Sequence, residues 1–244
     1  MRLLLVNPNT SDSVTRLIEA EARSAARPDT TLTAVTADMG VPYIETDTEA
    51  AVGGFAVLEM IARDAAHHDA AIVAAFGDPG LAAAKAAFSI PVVGLSEAAF
   101  LMAAASADSF GIVSISPRMQ PWYRRSVDQH NMGPRFRGFR FLRPPLTDVA
   151  SLQTDRAEDL IALGADLVAN EGAGTVIYAG APLAGFVRAN AARLDFPAMD
   201  GTAPAVHLAE ALAGMYLNGG NLRPAPPRGT KPSTGLSPAM ASLF

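Results

Sequence analysis

Two widely separated segments of this chain follow one plan, and that repetition restricts the fold more than any other feature. Ala71-Ile72-Val73-Ala74-Ala75-Phe76-Gly77-Asp78-Pro79-Gly80-Leu81 is an apolar run, a glycine turn, a proline and the start of a helical pattern. Residues 71–75 are wholly apolar, as in a parallel strand covered on both faces. Gly77 and Gly80 permit close backbone approach, Pro79 suits a first helical turn, and Asp78 is placed to cap the helix that follows. Thr175-Val176-Ile177-Tyr178-Ala179-Gly180-Ala181-Pro182-Leu183-Ala184-Gly185 repeats the order. The neighbours repeat as well. Ser89–Gly94 follows the first copy and Asp195–Gly201 the second, while Leu3–Thr10 is echoed by Gly111–Pro117. The pairs Pro8/Pro117, Pro79/Pro182 and Pro91/Pro197 are separated by 109, 103 and 106 residues. The spacing predicts an α/β chain of two pseudo-symmetric, doubly wound (Rossmann-like) halves, roughly 1–107 and 108–216. A site is expected in the cleft between them, at the carboxyl ends of the strands.

The 244 residues suffice for one large or two small α/β domains, and 50% apolar content supplies a full core. A net charge of −5 argues against nucleic acid as partner. The absence of cysteine excludes disulfides, thiolate nucleophiles and cysteine metal sites. A strand that begins at residue 2 leaves no room for a leader, and no apolar run is long enough for a membrane span, so a cytoplasmic protein is expected.

In chain order the pattern predicts strands at 2–6, 31–36, 71–75, 91–94, 110–114, 137–142, 175–179 and 197–199. Helices are expected after Ser11 or Asp12, from Asp47 to about Ala66, and over 80–88, 97–106, 118–131, 152–170, 184–193 and 203–216. His67-His68 at a helix end reads as a solvated cap rather than a metal site. Seven arginines lie between Arg118 and Arg143. They read as a solvated face or interface ion pairs, with Arg118 as the one candidate carboxylate clamp. Residues 218–244 are rich in proline and glycine and read as an arm. Its apolar terminus, Met240, Leu243 and Phe244, is expected to dock in a groove, on a second subunit in preference to its own, which makes a homo-oligomer the expected assembly.

Four loops should meet in the cleft: 7–11, 75–80, 114–118 and 178–183. They are rich in Gly, Ser, Thr, Asn and Pro and poor in Lys, which suits a small polar ligand held by backbone amides rather than a phosphate.

Asn7-Pro8-Asn9-Thr10-Ser11, Phe76-Gly77-Asp78-Pro79-Gly80-Leu81 and Ala181-Pro182-Leu183-Ala184-Gly185 resemble the hydantoin and allantoin racemase branch of the aspartate/glutamate racemase superfamily. The resemblance covers about residues 1–216. It implies two α/β domains with the site between them, and a last helix that crosses back to the first domain. The halves then become 1–96 plus 203–217 and 97–202, followed by the arm 218–244. The resemblance also implies a substrate with an acidic carbon beside a carbonyl, often a cyclic ureide. It implies two cysteines, one per half, on opposite faces of that carbon. Those positions fall on Ala75 and about Gly180 here, so the two-thiol mechanism is not open to this chain.

In place of the thiols the sequence offers Tyr178, His207 and Asp78 as catalytic candidates. The expected substrate-binding set is Asn7, Asn9, Thr10, Phe76, Gly77, Ser114, Gly180, Ala181 and Pro182. Glu45 is a candidate carboxylate that closes over the ligand. No metal and no cofactor are expected, and the partner is a small molecule. The expected function is isomerase-like: enolate chemistry on a small cyclic ureide, amide or carboxylate. The alternatives are a lyase, decarboxylase or ring-opening hydrolase working from one face, or a binder without catalysis. Ala75 and Gly180 are both expected to leave room for a cysteine.

Overall fold

A computed structural model describes residues 1–143, 152–219 and 231–244. The strands of the first half are β1 (Arg2–Asn7), β2 (Thr31–Thr36), β3 (Ala70–Val73) and β4 (Val92–Gly94), in the order β2-β1-β3-β4. Those of the second are β5 (Phe110–Ser114), β6 (Phe136–Phe141), β7 (Thr175–Ala179) and β8 (Ala198–Asp200), in the order β6-β5-β7-β8. Every pairing is parallel. The two sheets thus share one topology, as the repeated segments require. The central strands β3, β5 and β7 are buried along their whole length, which is why they read as unbroken apolar runs.

Parallel strands need crossovers, and helices supply them. They are α1 (Asp12–Ala25), α2 (Asp47–Asp64), α3 (Leu81–Ala87), α4 (Leu95–Ser106), α5 (Gln120–Gln129), α6 (Leu152–Asp155), α7 (Ala157–Glu171), α8 (Phe186–Ala189), α9 (Thr202–Leu217) and α10 (Pro238–Ala241). Local chemistry starts several of them. Ser11 caps α1, and Thr46 forms a capping box with Glu49 at the start of α2. The last long helix, α9, packs on α1, α4, β3 and β4, so the chain returns to the first sheet after completing the second. One apolar cluster, with Leu3, Phe76, Phe100, Phe110, Tyr123 and Tyr178 in it, runs through both halves. None of the described helices is long and apolar enough to cross a membrane.

Two expected helices change. The helix expected over 184–193 is reduced to α8, because Ala184 is extended and Gly185 left-handed (φ 79°) after a 3-10 turn at 181–183. The helix expected over 152–170 breaks at Arg156 into α6 and α7. Within the chain the C-terminal segment lies on α2. Met240 is buried, Leu243 packs against the cluster beneath α2, and the Ser237 hydroxyl donates to Glu59. Phe244 remains 45% exposed and does not share in that docking.

Candidate active site

Between the ends of β1, β3 and β7 lies a cavity of about 30 Å³. The first half contributes Asn9, Val14, Ala75 and Phe76, together with Tyr43 and Ile44 from the loop ahead of α2. The second half contributes Met119, Trp122, Tyr123, Gly180, Ala181 and Pro182. The positions that the family resemblance assigns to cysteines, Ala75 and Gly180, therefore line the same space from opposite halves. Among the described residues no charged side chain lines it.

The polar atoms available there are few. In the loop after β1, Asn7 is a structural residue: its amide donates to Asn9 Oδ1 at 2.9 Å and Thr15 Oγ1 at 2.8 Å, and it does not line the cavity. Its Oδ1 accepts from Asn9 N–H, while Thr10 N–H goes to Val41 O and Ser11 N–H to Asn9 Oδ1. That loop has thus committed the backbone amides expected to hold a ligand. The Asn9 Nδ2 group makes no hydrogen bond among the described residues and belongs to the lining. In the turn after β3, Gly77 N–H goes to Ser96 Oγ at 3.1 Å and Asp78 N–H to Ala75 O. The N–H groups of Ala75, Phe76, Gly180 and Ala181 have no acceptor among the described residues. The free backbone donors at the cavity are therefore concentrated at Ala75 and Gly180 and the residue after each.

Tyr123 is the residue that sequence reasoning missed. It is 1% exposed, its ring meets Phe76 edge-on at 5.0 Å, and its hydroxyl interacts with that of Ser114. A Cβ built on Gly180 would stand 3.6 Å from the Tyr123 oxygen, which puts this hydroxyl beside the position that the resemblance assigns to the second cysteine. Burial pushes the phenol far above its ordinary value, so Tyr123 is a neutral donor and not a base. A signal for it existed: Trp122-Tyr123 is an aromatic pair inside an otherwise polar, arginine-containing helix, just after the Pro117 turn.

The structure moves the three catalytic candidates away from the cavity. Tyr178 points to the other face of its sheet, where its hydroxyl donates to Leu160 O at 3.1 Å and burial raises its pKa. His207 is on the exposed face of α9. Asp78 does not cap the helix after its own turn. Its carboxylate instead accepts Ser96 N–H at 2.9 Å and Glu97 N–H at 2.8 Å, the free first-turn donors of α4. Of the expected binding set, Asn9, Phe76, Gly180, Ala181 and Pro182 line the cavity. Asn7, Thr10, Gly77 and Ser114 stand behind the lining; the Ser114 hydroxyl donates to Ala179 O at 2.8 Å. The room expected at Gly180 is present, but its φ of 119° is a conformation that an L side chain adopts only with strain.

Glu45 and Arg118, the carboxylate and the clamp, pair with each other at 3.2 Å across the cavity mouth. Asp47 and Arg125 form a second ion pair beside them. Both join the first half's loop 39–46 and α2 to the second half's α5 region. Away from the cavity lining, Arg188 of α8 pairs at 2.8 Å with Glu21 of α1, whose side chain is only 5% exposed although the guanidinium is largely in solvent. Exposed pairs like those at the mouth contribute little. About 30 Å³ holds little more than a water or two. Admission of anything larger therefore requires the space to widen.

A family model described as Asp/Glu/Hydantoin racemase matches residues 3–209. The chain is 31% identical over 219 residues to a hydantoin racemase of Paenarthrobacter aurescens, covering 88% of this chain and 92% of that one. It is 31% identical over 216 residues to a hydantoin racemase of Pseudomonas sp. (strain NS671), covering 88% and 87%. Among solved structures, the allantoin racemase from Klebsiella pneumoniae superposes with a TM-score of 0.87 at 27% identity, over 100% of this chain and 98% of that one.

Proposed function

The chain belongs to the Asp/Glu/hydantoin racemase family, and from that premise we propose that it acts on a small uncharged cyclic ureide or imide at the acidic carbon beside a carbonyl. The observation that carries the reading is the lining of the cavity: donors from both halves, and no charged side chain among the described residues. A carboxylate substrate would need a cation there, and the nearest candidate, Arg118, is engaged with Glu45 at the mouth. A neutral ring with carbonyl oxygens fits better.

Loss of the ring-carbon proton sends negative charge onto the adjacent carbonyl oxygen. The N–H groups at Ala75–Phe76 and Gly180–Ala181, with the Asn9 amide, are fixed neutral donors suited to hold that charge in a closed, low-dielectric space. Tyr123, kept protonated by burial, adds a hydroxyl on the second half's face. Neither Ala75 nor Gly180 offers a base, so we assign the proton exchange to solvent and the enolate stabilisation to the protein. No cofactor enters this scheme.

The test is incorporation of solvent deuterium at the ring carbon of a 5-substituted hydantoin, with loss of optical rotation. Tyr123→Phe should reduce the rate by roughly tenfold or more. A product of altered mass would indicate a lyase or ring-opening hydrolase. Among the described residues no histidine or carboxylate lines the cavity, which favours one second reading, a binding protein. Saturable binding without deuterium incorporation would establish that instead.

A further inference from the structure

Two hydroxyls meet behind the cavity wall. Ser96, at the second position of α4, is 0% exposed; Ser126, on α5, is 2% exposed. Their oxygens are 3.1 Å apart, and Ser96 Oγ also accepts Gly77 N–H at 3.1 Å. The Ser126 hydroxyl has no other hydrogen bond among the described residues, not even the bond to the carbonyl one turn back that a helical serine commonly makes. Its hydroxyl is committed to Ser96.

Burying two hydroxyls in an apolar core is costlier than burying two methyls, and such pairs confer geometric uniqueness rather than stability. The geometry here concerns the cavity. Ser126 lies four residues after Trp122 and three after Tyr123, so all three share one face of α5. On that face Trp122 covers Gly77, where a Cβ would stand 2.4 Å from the indole. Tyr123 meets Phe76. Ser126 reaches Gly77 through Ser96. A single helix face of the second half is thereby registered against three points of the first half's turn, and only the serine contact is directional. The Phe76–Gly77 peptide is planar, so a fixed Gly77 N–H fixes the whole unit. That unit adjoins the free N–H groups of Ala75 and Phe76.

We infer that Ser126 is a positioning residue: through Ser96 it orients the 75–77 backbone so that its free N–H groups point at the developing oxyanion. The inference rests on the enolate reading above. Its loss should therefore lower kcat while leaving KM nearly unchanged, because donors aimed at a transition state matter little to the ground state.

The experiment compares wild type with Ser126→Ala, Ser96→Ala, the double variant, and Val127→Ala as a neighbouring core truncation without a hydroxyl. Glycine-selective 15N labelling follows the Gly77 amide, and deuterium incorporation into a 5-substituted hydantoin follows the reaction. The expected result for Ser126→Ala is an upfield, faster-exchanging Gly77 amide proton and a kcat lowered about tenfold with KM within about twofold. The double variant should be no slower than Ser96→Ala, because the two act as one unit. Val127→Ala should lower the melting temperature and spare both readouts. An unmoved Gly77 amide in Ser126→Ala, or a moved amide with unchanged kcat, overturns the inference. If wild type binds the hydantoin without exchanging its proton, the enolate reading fails by itself. The positioning role is then judged by affinity: a severalfold weaker Ser126→Ala supports it, and an equal one overturns it. A wild type that neither binds nor exchanges overturns both.

Discussion

The turns that follow β3 and β7 occupy equivalent places in the two halves, yet they are held by opposite means. In the first half the carboxylate sits in the turn: Asp78 reaches over to the start of α4, the helix after the fourth strand. In the second half it sits at the far end: Asp200, the last residue of β8, accepts Gly185 N–H from the turn at 3.0 Å and Thr202 N–H at 2.7 Å. The connection is the same, from third-strand turn to fourth-strand helix, with donor and acceptor exchanged. The turns also differ in their surroundings. Gly77 lies under Trp122, while a Cβ on Gly180 would meet Tyr123, Pro182 and Ser114 only at ordinary contact distances of 3.6–3.9 Å, leaving its φ of 119° as the obstacle to a side chain. A repeat in topology thus does not carry a repeat in chemistry, and the differences can be measured.

The largest contrast should come from one substitution made in both turns. Gly77→Ala has to displace the Trp122 indole and strain a φ of 96°, for a loss of about 3–5 kcal/mol. Gly180→Ala carries the strain alone, about 1–3 kcal/mol. Urea unfolding of the pair measures the gap, and equal losses would mean that Trp122 yields freely. The strain also bears on restored thiols. Ala75→Cys should fold like wild type, while Gly180→Cys should lose as much as Gly180→Ala.

Next comes the removal of each carboxylate. Asp78→Ala leaves two buried N–H donors of α4 unpaired and should cost roughly 2–4 kcal/mol. Asp200→Ala should cost less, because burial and then the nearby Glu21 hold its carboxyl above the usual range and already penalise its charged form. Chemical denaturation of both at pH 7 ranks them, and the reverse order would break the comparison.

The same shift has a sign in pH. Folded Asp200 keeps its proton to a higher pH than the unfolded chain does. Between the ordinary carboxyl value and the raised one, the folded state therefore binds more protons, and this group's contribution to stability declines as pH rises. Asp200→Asn should flatten that part of the stability curve. Melting temperatures taken upward from pH 4 test it, and a slope unchanged by the substitution would place Asp200 in an ordinary environment.

The smallest effects should fall on the residues that the fold removed from the cavity. Tyr178→Phe loses its bond to Leu160 O, about 0.5–1.5 kcal/mol, and should keep kcat. His207→Ala should change stability by no more than about 0.5 kcal/mol and leave the pH–rate profile as it is. A lost ionisation in that profile would return His207 to the reaction.

Much of the frame was legible because the physics that encodes it is local. Fully apolar runs marked β3, β5 and β7, side-chain caps marked α1 and α2, and the proline offsets tied the halves together. The candidate site was legible in part, since turns at strand ends are where an open α/β sheet offers free N–H groups. What escaped was orientation. Tyr178 and Gly180 are two residues apart and would share a face if the strand ran on, but β7 ends at Ala179 and Gly180 turns away with a φ of 119°, so Tyr178 points to α7 while Gly180 lines the cavity. Tyr123 escaped because helical spacing marks a buried face without saying what it is buried against.

By itself, then, the sequence determined a doubly repeated α/β topology, an interior free of thiols and a candidate site at the strand ends. Each of these follows from near-neighbour pattern or from composition. Only the tertiary structure decided that Asp78 serves α4, that Arg118 is paired with Glu45, that Gly180 stands at a φ of 119°, and that Tyr123 occupies the space beside it. Those are contacts between segments distant in the chain. Their partners are set by how two sheets and their helices pack, a property that no window of residues contains.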